Sequence, residues 1–263
     1  MPEFLWPCNR TRGPVSEKGN PRQAATVILL REAEPKGFEV FLTRRPDGMP
    51  FLGGMYCFPG GGVTKEDCAV RVIERCRGLA AEQARKIAGA QFSPRQALGF
   101  WVAAIRELFE EVGVLLAVNS SGGRIAGSEN RMGDKHRLLL DKSLSFVHLL
   151  ESEGLYCDLS SLVYLSHWQT PAGNSVRFDT RFFVATLPHE QTPLSSSYEV
   201  THSLWLTPER AMQGYMRGEL PMIFPTFVSL RTLADFDSVA SVLKEFGGRH
   251  SFAQAAALAS GHH

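Results

Sequence analysis

The sequence of 263 residues lacks an excess of either charge and lacks closely paired cysteines. Lysine and arginine number 28 and aspartate and glutamate 27, so no whole-molecule field attracts nucleic acid or anionic lipid. The five cysteines include no C-x-x-C pair, which argues against a zinc site and against a disulfide framework. Any acidic substrate must therefore be bound by a local cluster of charges, and nucleic acid is not an expected partner.

Long hydrophobic runs are also missing from the sequence. A membrane-spanning helix needs about 18 or more consecutive apolar residues, whereas the longest apolar runs, such as 24–30 and 114–118, have the length of a strand. The N-terminal residues 1–13 contain no apolar signal region. These absences predict a cytoplasmic protein that has no membrane partner.

Short β-branched and apolar runs alternate with segments of helical spacing along the chain. Strands are predicted near 23–31, 38–43, 114–118, 163–168, 178–187 and 199–206, and helices near 94–112, 135–153, 224–236 and 237–246. This order predicts an α/β fold in which a mixed sheet lies between helices. Residues 1–22 are predicted to be an irregular lead-in, 23–246 one domain and 247–263 a tail.

The best-marked helix, predicted to begin at Pro94, carries three glutamates near its end. Glu107, Glu110 and Glu111 have the spacing i, i+3 and i+4, which places their carboxylates on one helix face. Like charges so close together repel each other unless a cation lies among them, and carboxylate oxygens suit Mg²⁺ or Mn²⁺. A solvated acidic helix face is the alternative interpretation of these residues taken alone.

The segment 106–114 (RELFEEVGV) resembles the second half of the Nudix hydrolase signature, G-x5-E-x7-R-E-U-x-E-E-x-G-U, in which U is a bulky apolar residue. In the first half, five residues separate Gly61 from Asp67, which takes the place of the usual glutamate. Asp67 is followed by 38 residues before Arg106, where the plain signature has seven. We interpret the additional residues as an insertion and expect a helical excursion over 68–92.

A branch of this superfamily, the peroxisomal coenzyme A diphosphatases, is similar in carrying a long insertion between the same two halves. The similarity extends to 41–45 (FLTRR), 58–61 (FPGG), 177–180 (RFDT) and 205–208 (WLTP). The resemblance implies a Nudix α/β/α sandwich with a mixed sheet, a helical insertion within the motif and extra C-terminal helices. It also implies an enzyme that hydrolyses a diphosphate linkage, with coenzyme A or acyl-coenzyme A as the leading substrate.

The resemblance further implies roles for residues of the signature. Glu107 and Glu111 correspond to the glutamates that hold the metal, Mg²⁺ or Mn²⁺, often together with a glycine carbonyl that corresponds to Gly61. Glu110 corresponds to a further ligand or to the base. Arg106 is expected to orient a signature carboxylate, and an ordinary surface ion pair is its alternative.

Four further positions outside the signature are candidates for the site. Glu199 is a candidate for the base that takes a proton from the attacking water, and an exposed loop acid is the alternative. Arg44 and Arg45 are candidates for contact with phosphate, and solvated charges at a strand end are the alternative. Trp168 is a candidate for stacking on a base, and ordinary packing is the alternative.

Other functions stay open on the sequence alone. Within the enzymes, an ADP-ribose or nucleotide-sugar pyrophosphatase is the alternative. Outside them, the alternative is a non-catalytic Nudix module that senses a nucleotide or coenzyme A, which the presence of Glu107, Glu110 and Glu111 together disfavours. The expected partner is a small nucleoside diphosphate substrate, and a homodimer is left open.

Overall fold

The computed structural model describes residues 20–124, 129–174, 176–195, 197 and 199–247, and for 129–131 the backbone alone. The predicted lead-in 1–22 and tail 247–263 lie almost wholly outside these residues, so their boundaries stay predictions. Within the described part of the chain, no helix has the length and apolar character needed to cross a membrane.

Two sheets form the fold. The main sheet contains β1 (Arg22–Glu32), β2 (Phe38–Arg44), β3 (Tyr56–Cys57), β4 (Gly60–Gly62), β8 (Val163–Gln169), β9 (Phe178–Thr186) and β10 (His202–Leu206). Its order is β10-β2-β1-β9-β8, with β3 paired to β2 and β4 paired to β1. The sheet is mixed, because β1 runs parallel to β9 and antiparallel to β2 and β4. A smaller sheet has the order β5 (Cys76–Arg77), β7 (Tyr156–Asp158), β6 (Ala117–Val118).

Helices cover both faces of the main sheet. They are α1 (Val70–Ile73), α2 (Ala81–Ala88), α3 (Pro94–Val112), α4 (Glu129–Leu140), α5 (Phe146–Ser152), α6 (Pro208–Met216) and α7 (Phe224–Leu233), followed by α8 over 239–247. Strand β1 shows why two layers are needed, because its apolar side chains are buried on both faces: Val27 and Leu29 pack with α3, while Ile28 and Leu30 pack with α6 to α8. The expected α/β/α sandwich with a mixed sheet and extra C-terminal helices is confirmed.

Helix α3 begins and ends where its sequence signals predict. The Ser93 hydroxyl accepts a hydrogen bond from the Gln96 amide at 3.3 Å, and the Gln96 side chain accepts one from the Ser93 amide at 2.9 Å. Gly113 ends the helix in a left-handed conformation with φ 73°, which a glycine adopts without steric cost. Because both ends are fixed, the three glutamates occupy a defined place over the sheet.

Two predicted elements differ from those observed. The single helix predicted over 135–153 is two helices, α4 and α5, because Lys142 adopts a left-handed φ of 59° and the Ser145 hydroxyl caps a new helix at the His148 amide. The strand predicted over 114–118 is reduced to β6, since the segment after α3 packs mainly through its side chains. Neither difference moves the signature helix.

The residues between the two halves of the signature form α1, β5 and α2. Arg181 of β9 contacts this segment, because its guanidinium donates to the Ala88 carbonyl at 3.0 Å at the end of α2. The same guanidinium is buried, pairs with Asp179 and lies over the rings of Phe92 and Phe100. The excursion is thereby attached to the sheet, and the chain returns to α3, whose last turns lie beside the glycine strand β4.

Candidate active site

The guanidinium of Arg106 connects the two halves of the signature. Its Nε and Nη2 donate to the two carboxylate oxygens of Asp67 at 2.8 and 2.9 Å, and Nη2 also donates to the Gly62 carbonyl at 2.9 Å. Its Nη1 donates to Glu107 at 2.8 Å and to Glu110 at 2.9 Å. Arg106 therefore contacts two signature glutamates, and Asp67 fixes Arg106 despite the insertion.

The glycine strand β4 lies directly against the glutamates of α3. A side chain at Gly61 would place its Cβ 2.5 Å from Oε1 of Glu107, and the Gly60 amide donates to the Glu111 carboxylate at 3.1 Å. Gly60 is equally restricted, since a Cβ there would lie 2.4 Å from the Ala25 carbonyl oxygen. The separated half-signatures therefore meet in space, with backbone and carboxylate in contact.

Burial dominates the electrostatics of the three glutamates. Burial raises the pKa of Glu107 to about 7 although the neighbouring Arg106 opposes this shift. The pKa of Glu111 lies well above its usual range because of burial and the charge of Glu107, which the charge of Arg45 offsets in part. Burial also raises the pKa of Glu110, again against the influence of Arg106. Burial thus disfavours the charged forms of these carboxylates more than the neighbouring arginines favour them.

Arg45 and Glu199 extend the charged site on its open side. The Arg45 guanidinium lies 3.8 Å from Oε1 of Glu111 and 3.7 Å from Oε2 of Glu199. Its side chain is 18% exposed, its Nη2 lies 2.7 Å from the Met49 sulfur, and its buried Nε has no hydrogen-bond partner. Glu199 is 47% exposed. Arg45 therefore reaches the carboxylates but keeps donor capacity for an additional anion.

The structure separates the two neighbouring arginines. Arg44 pairs with Asp47 at 2.6 Å at the surface and does not line the cleft, whereas Arg45 does. Trp168 lines the same cleft about three strands away from the glycines, on β8. The structure thus brings together Gly61, Arg45, Trp168, Glu199 and the signature glutamates, and leaves Arg44 aside.

The predicted metal ligands are adjacent to one another but do not form a closed ligand set. Among the residues that the structure describes, no three His, Cys, Asp or Glu side chains converge as a metal site. The reason is visible in the hydrogen bonds: Arg106 holds the carboxylates of Glu107 and Glu110, and the Gly60 amide holds that of Glu111. A cation would have to draw these oxygens together.

The cleft also contains residues that the sequence did not single out. It has an open volume of about 1120 Å³ and includes Cys57, Phe51, Leu52 and Phe178 in its lining. Burial, followed by the charge of Glu111, raises the pKa of the Cys57 thiol to about 11, so this thiol stays protonated and unreactive near neutral pH. The signal for Phe51 and Leu52 was weak, because they lie in a loop rich in glycine and proline, where apolar residues carry no periodicity.

Comparisons with known proteins agree with this geometry. The family model of the NUDT19 Nudix domain matches residues 21–233. The acyl-coenzyme A diphosphatase NUDT19 of Gallus gallus is 27% identical over 272 residues, which cover 85% of this chain and 70% of that protein. The protein of the same name from Homo sapiens is 28% identical, with 87% and 72% covered.

A solved structure supports the same assignment. The crystal structure of a Nudix hydrolase from Alicyclobacillus acidocaldarius has a TM-score of 0.68 and 28% sequence identity, and covers 82% of this chain and 92% of its own. Fold, signature contacts and family match therefore agree over most of the described residues. The chain belongs to the Nudix hydrolases, in the family of the NUDT19 Nudix domain.

Proposed function

We propose that this protein hydrolyses the diphosphate linkage of coenzyme A or of an acyl-coenzyme A, with Mg²⁺ or Mn²⁺ as cofactor. The observation that carries the proposal is the contact of Gly61 and Gly60 with Glu107 and Glu111, although 38 residues separate Asp67 from Arg106 within the signature. The similarity to proteins named acyl-coenzyme A diphosphatase supports the choice of substrate. An ADP-ribose or nucleotide-sugar pyrophosphatase is the competing function.

The residues present fit a divalent cation. Glu107, Glu110 and Glu111 offer carboxylate oxygens, which Mg²⁺ and Mn²⁺ prefer, and Gly61 adds a backbone carbonyl without a side chain in the way. Burial raises the pKa values of Glu107 and Glu111, so their ionised forms are costly without a cation and a bound cation would stabilise them. When bound, the metal neutralises charge on the non-bridging oxygens of the diphosphate and lowers the pKa of water.

The arginines have distinct roles in this proposal. Arg45 binds an oxygen of the diphosphate, because its side chain lines the cleft, is 18% exposed and lies beside the carboxylate of Glu111. Arg106 does not reach the substrate, since Asp67, Gly62 and two glutamates take its donors. It positions Glu107 and Glu110.

Glu199 is the base that we propose for the attacking water. Water adds to one phosphorus, the bridging P–O bond breaks, and the carboxylate of Glu199 takes the proton of the water. Glu110 is less suited to this task because its carboxylate accepts a hydrogen bond from Arg106 at 2.9 Å, whereas Glu199 lies 3.7 Å from its nearest arginine nitrogen and is half exposed. The products are 4′-phosphopantetheine, or its acyl form, and adenosine 3′,5′-bisphosphate.

Turnover of a substrate panel in H₂¹⁸O tests this function. Coenzyme A, acetyl-coenzyme A, ADP-ribose and NADH are incubated with the protein and Mg²⁺ or Mn²⁺, and the products are identified by mass. We expect cleavage of the coenzyme A compounds, with ¹⁸O in one of the two phosphate products, and loss of cleavage with a chelator. Glu199→Gln should lower kcat by roughly a hundredfold or more, while Glu190→Gln, a loop control, should not.

Two results would contradict the proposal. Absence of cleavage of every compound with either metal would favour a sensing module. A kcat/KM for ADP-ribose above that for coenzyme A would assign the protein to the competing pyrophosphatases.

A further inference from the structure

The cleft continues from the glycine strand across one face of the main sheet. In register, Gly62 of β4 lies opposite Ala24 of β1, Ala24 opposite Thr180 of β9, and Thr180 opposite Trp168 of β8. All four residues line the cleft. Because neighbouring strands are about 4.8 Å apart, Trp168 lies about 14 Å from the glycine end.

The two ends of this cleft differ in chemistry. The charged lining residues, Arg45, Glu107 and Glu199, belong to the glycine end, where Glu107 touches Gly61 and Arg45 bridges to Glu199. The far end is formed by aromatic and aliphatic groups with neutral polar ones between them. Its apolar residues are Phe51, Leu52, Trp168, Phe178, Ile223 and Pro225. We call this end the neutral compartment, since no charged side chain of the described residues lines it.

Two separate segments close the neutral compartment. The ring of Phe51, in the loop after β2, lies 4.9 Å from that of Phe178 on β9. The ring of Trp168 lies 5.6 Å from that of Phe224, at the start of α7 and partly exposed. The compartment therefore has walls from the loop, the sheet and the start of a helix, and the partly exposed ring of Phe224 lies beside Trp168.

The loop that carries Phe51 has a fixed shape. Leu52 adopts a φ of 56°, which is rare for a branched side chain, and its carbonyl accepts a hydrogen bond from the Met55 amide at 3.1 Å. The Gly54 amide donates to the Arg45 carbonyl at 3.1 Å, so the base of the loop is tied beside the charged site. An unusual backbone conformation that delivers a side chain into a cleft is a feature of binding sites.

We propose that the neutral compartment binds the uncharged arm of the substrate, a chain of amide and methylene groups that ends in a thiol or thioester. This inference rests on the proposed function. A phosphate ester placed among these aromatic and hydroxyl side chains would lose hydration without gaining a cation, so the nucleoside 3′-phosphate belongs outside the compartment. Methylene groups instead gain by burial against Phe51 and Trp168, and amides find partners in Thr180 and Gln169.

The length of the compartment agrees with this occupant. An extended amide chain advances about 3.5 Å per three backbone bonds, so about 14 Å from the glycine end to Trp168 accommodates roughly a dozen bonds. The end of the arm then reaches Trp168, whose ring contacts the partly exposed ring of Phe224. An acyl group on the sulfur would lie along Trp168 and Phe224.

Binding of the two half-products tests the assignment independently of turnover. Calorimetry with wild type and Phe51→Ala would use 4′-phosphopantetheine and adenosine 3′,5′-bisphosphate as separate ligands. We expect Phe51→Ala to weaken the binding of 4′-phosphopantetheine by roughly tenfold and to change the affinity for the bisphosphate by less than about twofold. Phe236→Ala, which removes a ring packed on Phe246 away from the cleft, is the matched control and should change neither.

Trp168→Leu provides a second variant in case Phe51→Ala alters the loop. With this variant, kcat/KM for a medium-chain acyl-coenzyme A should fall more than that for coenzyme A. Weaker binding of the bisphosphate alone, or equally weakened binding of both half-products, would overturn the assignment. The compartment would then bind the adenine base of the substrate. If wild type bound the half-products as expected but cleaved no diphosphate, the proposed activity would fail while the compartment assignment stood.

Discussion

Asp67 and Arg106 form a two-point ion pair at 2.8 and 2.9 Å across the insertion, with Asp67 only 2% exposed. Burial alone would lower the pKa of Arg106, but the hydrogen bonds to Asp67 together with the charges of Glu107, Asp67 and Glu110 outweigh burial and raise it. Asp67 is held in turn by the amide and hydroxyl of Thr64 at 2.8 and 2.9 Å. An aspartate at the position of the usual glutamate therefore still fixes the arginine that orients two signature carboxylates.

The first prediction concerns this pair. Asp67→Asn should lower the free energy of unfolding by about 3 kcal/mol, because it leaves a buried guanidinium with one anionic partner fewer. It should also lower kcat more than it raises KM, since Glu107 and Glu110 lose their fixed orientation. Asp235→Asn, which removes an exposed ion pair with Arg231, is the control and should cost less than about 1 kcal/mol. Equal denaturant midpoints for Asp67→Asn and wild type would refute the role of the pair.

The second prediction separates folding from catalysis at Gly61. A Cβ at this position would lie 2.5 Å from the Glu107 carboxylate, the far end of a flexible side chain, so the carboxylate moves rather than the backbone. Gly61→Ala should therefore change the melting temperature by only a few degrees and reduce kcat by roughly a hundredfold. Gly48→Ala, where nothing lies within 4 Å, should behave as wild type. Retention of full activity by Gly61→Ala would remove Glu107 from the reaction.

Helix α3 and its glutamates are the part of the site that the sequence predicts well. The cap residues, the helix end at Gly113 and the spacing of Glu107, Glu110 and Glu111 are all local signals. The same kind of signal failed over 135–153, because helical periodicity continues through the break at Lys142 while the backbone does not. Local patterns do not report a single residue that turns left-handed.

The long-range contacts could not be predicted from the sequence, for a different reason. Arg44 and Arg45 were equal candidates for phosphate contact, but successive residues of an extended chain point in opposite directions, and Arg45 points into the cleft. The ring of Phe51 packs against that of Phe178, which lies 127 positions further along the chain, and no periodic pattern predicts such a contact. Arg181 is buried within an apolar strand, where its partner in the insertion could not be foreseen.

The third prediction is a pH dependence of the metal-free protein. The pKa of Glu107 is raised by burial from 4.5 to about 7, so the folded state binds a proton that the unfolded state releases between these values. Stability contributed by this group is present below about pH 4.5 and is lost as the pH rises to about 7. The loss is on the order of 3 kcal/mol.

Denaturant unfolding with a chelator at pH 5 and pH 8 measures this effect. In Glu107→Gln, most of the decrease in the free energy of unfolding between pH 5 and pH 8 should be absent. This variant should also be more stable than wild type at pH 8. Glu82→Gln, an exposed glutamate paired with Arg85, should keep the wild-type dependence. The predicted sign would be contradicted if the metal-free wild type were more stable at pH 8 than at pH 5 and Glu107→Gln showed the same pH dependence.

The last prediction contrasts the two arginines that follow β2. Arg45 lies 3.8 Å from Glu111, at the charged end of the cleft, so its contact is with the diphosphate and not with a distant 3′-phosphate. Arg45→Ala should therefore lower kcat/KM for coenzyme A and for dephospho-coenzyme A by the same factor, roughly ten- to a hundredfold for one lost charge-assisted contact.

Arg45→Lys should recover part of that loss, since an ammonium keeps the charge but not the planar fork of donors. Arg44→Ala is the matched control: its side chain pairs with the exposed Asp47, so its kcat/KM should stay within about twofold of wild type. Steady-state kinetics of the three variants on both compounds decides the matter. A loss confined to coenzyme A, with dephospho-coenzyme A spared, would place Arg45 at the 3′-phosphate and reverse the orientation of the substrate in the cleft.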